Sequence, residues 1–152
     1  MKRLFVLLLL TMFFIKTMRA QSASKTYDSV LAKKLKADDY GMKNYILVLL
    51  KTGSNTSTDK ALKDSLFNGH MKNISRLAEN GSLVVAGPFG KNDKYRGLFI
   101  LNAASFNDAA KMLETDPAIK GKFLEPELYM WYGSAALQET FDIHNKIQKL
   151  EF

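Results

Sequence analysis

Six consecutive apolar residues, Tyr45 to Leu50, place the strongest constraint on what this chain can fold into. They lie in the segment Lys43 to Lys51, which is followed by turn-forming residues at 52–55 and is typical of a β-strand. Successive side chains of a strand point to opposite faces of its sheet. Both faces of the sheet that contains this strand must therefore be covered by other parts of the protein.

The next segment predicts an amphipathic helix with a histidine on its apolar side. Apolar residues and one histidine recur at helical spacing and fall within a sector of about 120°: Leu62, Leu66, His70, Ile74 and Leu77. A histidine on the inward side of a helix is the polar residue that any function must explain.

The ends of this helix, and one glycine inside it, carry further predictions. Thr58 or Ser57 is expected to cap the helix, with Asp59 in its first turn, and Gly81 is expected to end it in a left-handed conformation. Gly69 should cost about 1 kcal/mol relative to alanine. Either the helix breaks at Gly69, or a neighbour packs there too closely for a β-carbon.

A hairpin and a second helix follow. The apolar segments 82–89 and 95–101 predict two strands, and the short polar loop between them makes them a hairpin. Ser105 is expected to open the second helix, with Asp108 as its capping partner. Asp116 should mark its end, because a residue before proline avoids the helical conformation.

The end of the chain predicts one more strand and an exit helix. The strand is expected at about 128–132, after Pro126, which is tolerated only at the start of a strand or on a sheet edge. Residues 134–152 are expected to form the exit helix, with His144 on its surface.

This order of elements predicts an α+β protein with a ferredoxin-like β-α-β-β-α-β fold. Two helices can cover only one face of a four-stranded sheet, and the other face is also apolar. We expect a second copy of the chain to cover that face, giving a homodimer in the form of a dimeric α/β barrel. The alternative is that the exit helix folds back over it.

Residues 1–20 have the pattern of a secretory signal peptide. Two basic residues, Lys2 and Arg3, precede an apolar run of 12 residues, Leu4 to Ile15, and cleavage is expected after Ala20. That run is too short to cross the hydrocarbon core of a bilayer, which is about 30 Å thick. We therefore expect a secreted or periplasmic protein, with no membrane contact after cleavage. An uncleaved N-terminal anchor is the alternative.

Charge and composition exclude several classes of function. The formal net charge of +7 falls to +3 when the leader's four basic residues are removed, which is no footprint of a nucleic-acid-binding protein. The chain has no cysteine, so disulfides, thiol catalysis and cysteine-ligated zinc are excluded. Its two histidines, His70 and His144, are far apart in sequence, and we expect neither a metal site nor a cofactor.

The order and spacing of several short motifs resemble those of the YCII-related (YciI-like) family. The resemblance covers about 43–133 and rests on His70-x-x-x-Ile74-x-x-Leu77-x-x-x-Gly81-x-Leu83-x-x-x-Gly87-Pro88, Arg96-Gly97, Ala109 and Asp116-Pro117. Residues 38–42 and 131–137 resemble a secreted subgroup of that family. The chain would then consist of a signal peptide (1–20), an N-terminal arm (21–42), a YCII-related domain (43–133) and a C-terminal helix (134–152).

The resemblance implies a dimeric α+β barrel with a pocket near the helices and a His-Asp pair, carried here by His70 and Asp116. It also implies proton-transfer chemistry on a small organic molecule, including elimination of halide from ring substrates. Phe67 departs from the family, because many members have a basic residue three positions before the histidine. The carry-over of an anionic substrate is weaker for that reason.

Helix geometry points to the same pair. His70 and Asp116 lie 12 and 11 residues past the expected caps of two helices that run parallel on one sheet face, which places both about 17 Å along. An aspartate that accepts a hydrogen bond from one imidazole nitrogen fixes the tautomer and makes the other nitrogen a better base. No Gly-x-Ser-x-Gly nucleophile elbow accompanies them. Elimination, isomerisation or hydrolysis by proton transfer is the predicted activity.

Each candidate residue also has a structural interpretation. Asp116 can cap the turn that begins at its proline, and His70 can be a core residue with satisfied hydrogen bonds. Pro88, Arg96 and Trp131 are the candidate substrate-binding residues, but they can equally end a strand, pair across the hairpin and pack in a dimer core. The alternative function is a non-catalytic dimer of the same fold that binds a small ligand or a partner.

Overall fold

A computed structural model describes residues 26–91 and 94–150, so the predicted signal peptide, 1–20, lies outside the described residues. The elements, in chain order, are α1 (Ser29–Lys34), β1 (Met42–Thr52), α2 (Lys60–Glu79), β2 (Leu83–Pro88), β3 (Tyr95–Leu101), α3 (Phe106–Leu113), α4 (Pro117–Lys120), β4 (Leu124–Ser134), a 3-10 helix (Ala135–Glu139) and α5 (Thr140–Ile147). The strands form one antiparallel sheet in the order β2-β3-β1-β4. The predicted α+β class is confirmed.

The N-terminal arm contains the short helix α1. Asp28 caps α1, because its carboxylate accepts hydrogen bonds from the backbone N–H groups of Val30 and Leu31, both at 2.9 Å. Further along the arm, the hydroxyl of Tyr132 donates a hydrogen bond to the carboxylate of Asp38. This bond ties the arm to β4 and raises the pKa of Tyr132 to about 12.

The prediction that Thr58 or Ser57 caps α2 is wrong, since Asp59 is the capping residue. Its backbone is extended, and its carboxylate accepts a hydrogen bond from the N–H of Leu62 at 3.1 Å. The hydroxyl of Ser57 is already occupied by the N–H of Asp59, at 3.2 Å. An aspartate at this position also places its negative charge at the positive end of the helix dipole.

The last strand is longer than the predicted 128–132. It runs the length of β1 from Leu124 to Ser134, and Pro126 pairs with Leu50 inside the ladder. Because β4 is an edge strand of the sheet, the missing N–H of Pro126 removes no hydrogen bond that a second neighbour would need.

The chain after β4 is not one helix. It begins with the 3-10 helix, changes to α5 at Thr140 and ends that helix at Ile147. His144 is exposed on α5, as predicted. No helix in the described ranges is long and apolar enough to cross a membrane.

Helices α2, α3 and α4 pack on one face of the sheet, and the main hydrophobic core lies between them and the sheet. Buried residues of all four strands meet those of α2, α3 and α4 there: Ile46, Val48, Leu50, Leu77, Leu83, Phe99, Leu101, Ala103, Ala109, Leu113, Ala118 and Leu124. This core brings α2 and α4 together on the same face of the sheet.

The opposite face carries a second, smaller apolar cluster. Tyr45, Val84 and Ile100 are its buried members, and they are packed by the partly buried residues Leu47, Val85, Leu98, Trp131 and Leu137. Leu137 belongs to the 3-10 helix, so the exit segment covers part of this face. Tyr129, which pairs with Leu47 in the register, remains 47% exposed.

Candidate active site

The structure brings His70 and Asp116 into direct contact. The Nδ1 atom of His70 lies 2.7 Å from Oδ2 of Asp116, which is within hydrogen-bond distance. Only 8% of His70 is exposed, and Asp116 is fully buried. The inward position that the helical spacing predicted for His70 is therefore correct.

Asp116 is also the N-cap of α4. While Oδ2 faces His70, Oδ1 accepts hydrogen bonds from the backbone N–H groups of Ala118 at 2.9 Å and Ile119 at 3.4 Å. Pro117 occupies the first position of α4, where its missing N–H costs nothing. The two sequence-based interpretations of Asp116, as a helix cap and as the partner of His70, hold together because its two oxygens serve different groups.

Close packing beside the pair holds the two segments together. Helix α2 runs unbroken through Gly69, and a β-carbon added there would lie 2.8 Å from Cγ of Pro117. The second of the two explanations for this glycine is therefore confirmed. Gly69 precedes His70 and Pro117 follows Asp116, so the two segments are in close contact directly beside the pair.

Aromatic rings enclose the imidazole. Phe99 of β3 stacks on it with ring centroids 5.8 Å apart, and Phe67 meets it edge-on at 5.9 Å. Phe67 in turn contacts Phe123, at a centroid distance of 6.5 Å. These rings limit the orientation of His70 and exclude water from two of its sides.

The other ring nitrogen of His70, Nε2, has no hydrogen-bond partner within the described ranges. No buried side-chain nitrogen or oxygen there lacks a partner, so Nε2 must reach the solvent. An aspartate carboxylate only accepts hydrogen bonds, which requires Nδ1 of His70 to carry the proton in the neutral ring. The accessible Nε2 then presents a lone pair.

A second polar group, which the sequence reasoning missed, lies next to the pair. Asn73, only 7% exposed, accepts hydrogen bonds at Oδ1 from Nη2 of Arg76 at 2.7 Å and from the hydroxyl of Thr115 at 2.9 Å. Asn73 is three residues after His70, and Thr115 directly precedes Asp116. An asparagine one turn from an inward histidine was the only sequence signal for this group.

The structure does not gather the three candidate substrate-binding residues around His70. Trp131 packs against Tyr45 on the opposite face of the sheet, with ring centroids 5.9 Å apart. Arg96 is exposed, and its Nε donates a hydrogen bond to the hydroxyl of Thr52 at 2.5 Å. Pro88 is exposed at the end of β2, where it pairs with Gly97.

The described part of the chain contains no cluster of three or more histidine, aspartate or glutamate residues that could hold a metal ion. The polar groups at the site are the His70-Asp116 pair and its neighbours. A carboxylate-imidazole pair with one open nitrogen can accept and return a proton.

No protein-family model and no curated protein matches the chain. Among solved structures, it is similar to 5-chloro-2-hydroxyhydroquinone dehydrochlorinase from Burkholderia phenoliruptrix AC1100 in complex with 2,5-dihydroxybenzoquinone. The two are 19% identical, and the similarity covers 56% of this chain and 92% of the other, with a TM-score of 0.40.

Proposed function

We propose that this protein is an enzyme that acts on a small organic molecule by proton transfer through His70 and Asp116. The observation that carries the proposal is the difference between the two nitrogens of His70. Nδ1 lies 2.7 Å from a buried carboxylate, whereas Nε2 has no hydrogen-bond partner among the described residues and reaches the solvent. A histidine that only stabilises a core has no need of an open nitrogen.

The reaction step follows from that geometry. The Nε2 lone pair removes a proton from an acidic C–H, O–H or water molecule, so that a new Nε2–H bond forms as the substrate bond breaks. The released electron pair moves into the substrate, onto a carbonyl oxygen or out with a leaving group. Asp116 keeps its bond to Nδ1–H throughout and lies beside the positive charge that the ring acquires. Elimination, isomerisation and hydrolysis all begin this way.

We also propose that the chain is a YCII-related protein with a ferredoxin-like fold that works as a dimer. The strand order β2-β3-β1-β4, with helices on one face, supports the fold. The half-exposed Tyr129 and the partly buried Leu47 and Leu49 on the other face support a second copy as its cover. A monomeric mass of the mature chain in solution would contradict the dimer.

Secretion or export to the periplasm is part of the same proposal. It is supported by the basic and apolar pattern of residues 1–20. Expression of the full chain followed by mass determination of the exported protein tests it, with cleavage after Ala20 as the expected result.

The rival function is that of a non-catalytic binding protein with the same fold. Its support is that Asp116 already has a structural task at the start of α4, and that His70 is held between two aromatic rings. Under this alternative, His70 and Asp116 stabilise the protein and take no part in turnover.

The test is proton exchange into a panel of small carbonyl and ring compounds, followed in deuterated water by NMR. His70→Asn keeps an N–H group that can face Asp116 but removes the Nε2 base, so exchange should fall by about 10² to 10⁴-fold. Asp116→Asn can still accept from Ala118 but presents an N–H to the ring, which forces the wrong tautomer. It should lose activity to a similar degree.

His144→Asn is the matched control, because His144 is exposed on α5 and should be replaceable without effect. Thermal unfolding of each variant shows whether it is folded. Full activity in folded His70→Asn would refute the catalytic role and leave the binding protein as the better account.

A further inference from the structure

A second candidate binding site lies outside the His70 region, in an open groove between the end of α2 and α3. Its volume is about 390 Å³, and its lining includes Arg76, Lys111, Asp108, Thr115 and Ser82. His70 does not line this groove. The groove therefore has to be explained separately from the His70-Asp116 pair.

Arg76 is held in the groove by neutral groups. Its Nη2 atom donates to Oδ1 of Asn73 at 2.7 Å and to the hydroxyl of Thr115 at 2.8 Å. No carboxylate within the described ranges forms an ion pair with Arg76. The guanidinium group is thus fixed in orientation through one amino group, while its Nη1 and Nε donors have no partner in the part of the chain that the structure describes.

Lys111, on α3, is the second cation of the groove, and it too has no ion pair in the part of the chain that the structure describes. The lining contains one carboxylate, Asp108, whose Oδ2 accepts the hydroxyl hydrogen of Ser105 at 2.7 Å. Two cations face one carboxylate, so the charged lining carries a net positive charge.

We propose that this groove binds a small oxyanion, the carboxylate or phosphate group of a metabolite. The N–H groups on Nη1 and Nε can donate to the oxygen atoms of such a group, and the guanidinium group keeps its positive charge. Lys111 adds a second charge from the facing helix, and the hydroxyl of Ser82 adds a neutral donor. The proposal does not depend on the chemistry proposed for His70.

The competing explanation is that Arg76 only links α2 to Thr115. That role uses Nη2 alone and gives no reason for an unpaired lysine across the groove. The two explanations differ in one measurable respect: a link needs Arg76 but is indifferent to Lys111, whereas an oxyanion site needs both.

The experiment is an NMR titration of the ¹⁵N-labelled mature chain with inorganic phosphate and, separately, with acetate, at constant ionic strength set by sodium chloride. We expect saturable shifts at the Arg76 side chain and at the amides of Lys111 and Thr115. Arg76→Gln and Lys111→Gln should each weaken binding by about tenfold or more. Lys72→Gln, which removes an exposed charge from the same helix without touching the groove, should leave it within about twofold.

Each outcome of the titration either supports or overturns the proposed oxyanion site. Binding of phosphate alone assigns the site to phosphate compounds, binding of acetate alone assigns it to carboxylates, and binding of both supports the shared chemistry. Absence of saturable shifts with either anion overturns the proposal, as does an equal loss of binding in Lys72→Gln. If Arg76→Gln does not fold, Lys111→Gln decides, because its side chain has no protein partner to lose.

Discussion

Both faces of the sheet carry apolar side chains, but the two faces bury them to different extents. On the helix-covered face, apolar side chains enclose a polar pair, and each oxygen of Asp116 has a hydrogen-bond donor. On the opposite face, the hydroxyl of Tyr45 is a buried polar group beside the apolar cluster, and neighbouring Leu47 and Leu49 are only partly buried. The helix-covered face is thus more completely buried within one chain than the opposite face.

This difference in burial determines what each face can hold. A polar pair can be kept inside a protein only where the packing around it is rigid enough to keep its bonds satisfied. An apolar face that remains partly exposed offers area to a partner without specifying any chemistry. The His70-Asp116 pair lies on the helix-covered face, whereas apolar area that remains partly exposed lies on the opposite face.

The largest expected effect comes from shortening neighbouring residues of β1 that point to opposite faces. Ile46→Ala, on the helix-covered face, should lower the free energy of unfolding by about 3 kcal/mol, since Ile46 is fully buried. Leu47→Ala, on the other face, should cost only about 1 kcal/mol in dilute solution. Urea unfolding measures both.

Repeating the urea experiment at several protein concentrations sharpens the result. If a second copy covers Leu47, the loss in Leu47→Ala should grow as the concentration of protein rises, because unfolding is then coupled to dissociation. Equal losses for both variants in dilute solution would mean that the two faces are equally buried in one chain.

A smaller effect is expected from Gly69→Ala, which tests how tightly the helix-covered face is packed. The new β-carbon would lie 2.8 Å from Cγ of Pro117, and such overpacking costs about 1–3 kcal/mol. Alanine also gains about 1 kcal/mol of helix propensity. The net result should be a loss of about 1 kcal/mol in unfolding free energy, with a weakened His70-Asp116 hydrogen bond seen as an upfield shift of the Nδ1 proton.

Ser65→Ala is the matched control, because Ser65 is exposed on the same helix and has no such neighbour. It should gain up to about 0.5 kcal/mol. If Gly69→Ala behaves in the same way and leaves the Nδ1 proton unmoved, Pro117 yields easily and does not set the distance between the pair.

An effect of similar size is expected at the buried hydroxyl of Tyr45 on the opposite face. The Tyr45 hydroxyl donates to the carbonyl of Ser134 at 3.0 Å, so Tyr45→Phe should cost about 1 kcal/mol at neutral pH. Burial raises the pKa of Tyr45 above its ordinary value of 10.0. The stabilisation linked to this shift is complete below pH 10 and is lost as the pH rises through the pKa of the folded state.

Unfolding measured from pH 8 to 11 checks that dependence. The difference between the original protein and Tyr45→Phe should shrink in the alkaline range. Tyr129→Phe serves as the control, because Tyr129 is half exposed, and it should change stability by less than about 0.5 kcal/mol. A difference that stays constant with pH would show that the Tyr45 hydroxyl is not desolvated.

Much of this arrangement could be predicted from local sequence patterns. The strand at Tyr95–Leu101 has the predicted bounds, and α3 begins after Ser105 as predicted, because an apolar segment and a serine cap are local signals. Helix α3 ends at Leu113, before the expected Asp116, which instead caps α4. The spacing of His70 and Asp116 from their expected caps placed the two at a similar depth, and they are in contact although the cap of α2 was misplaced by one or two residues, which shifts a helix position by only about 3 Å.

What could not be predicted depended on neighbours in space. The length of β4 was missed because Pro126 and two glutamates resemble a loop until the strand is known to lie on an edge. The rings around His70 come from β3 and α2, and the link from Asn73 to Thr115 joins residues 42 apart in sequence. No local pattern encodes such contacts.

The divided role of Asp116 has a consequence for how relatives of this protein would diverge. A lineage that lost the reaction would be free to replace His70, but it would still be under selection to keep Asp116 for the start of α4. Asp116 alone is therefore a poor marker of activity among descendants. A descendant that has lost the proposed activity would be expected to keep the aspartate and the following proline but not the histidine.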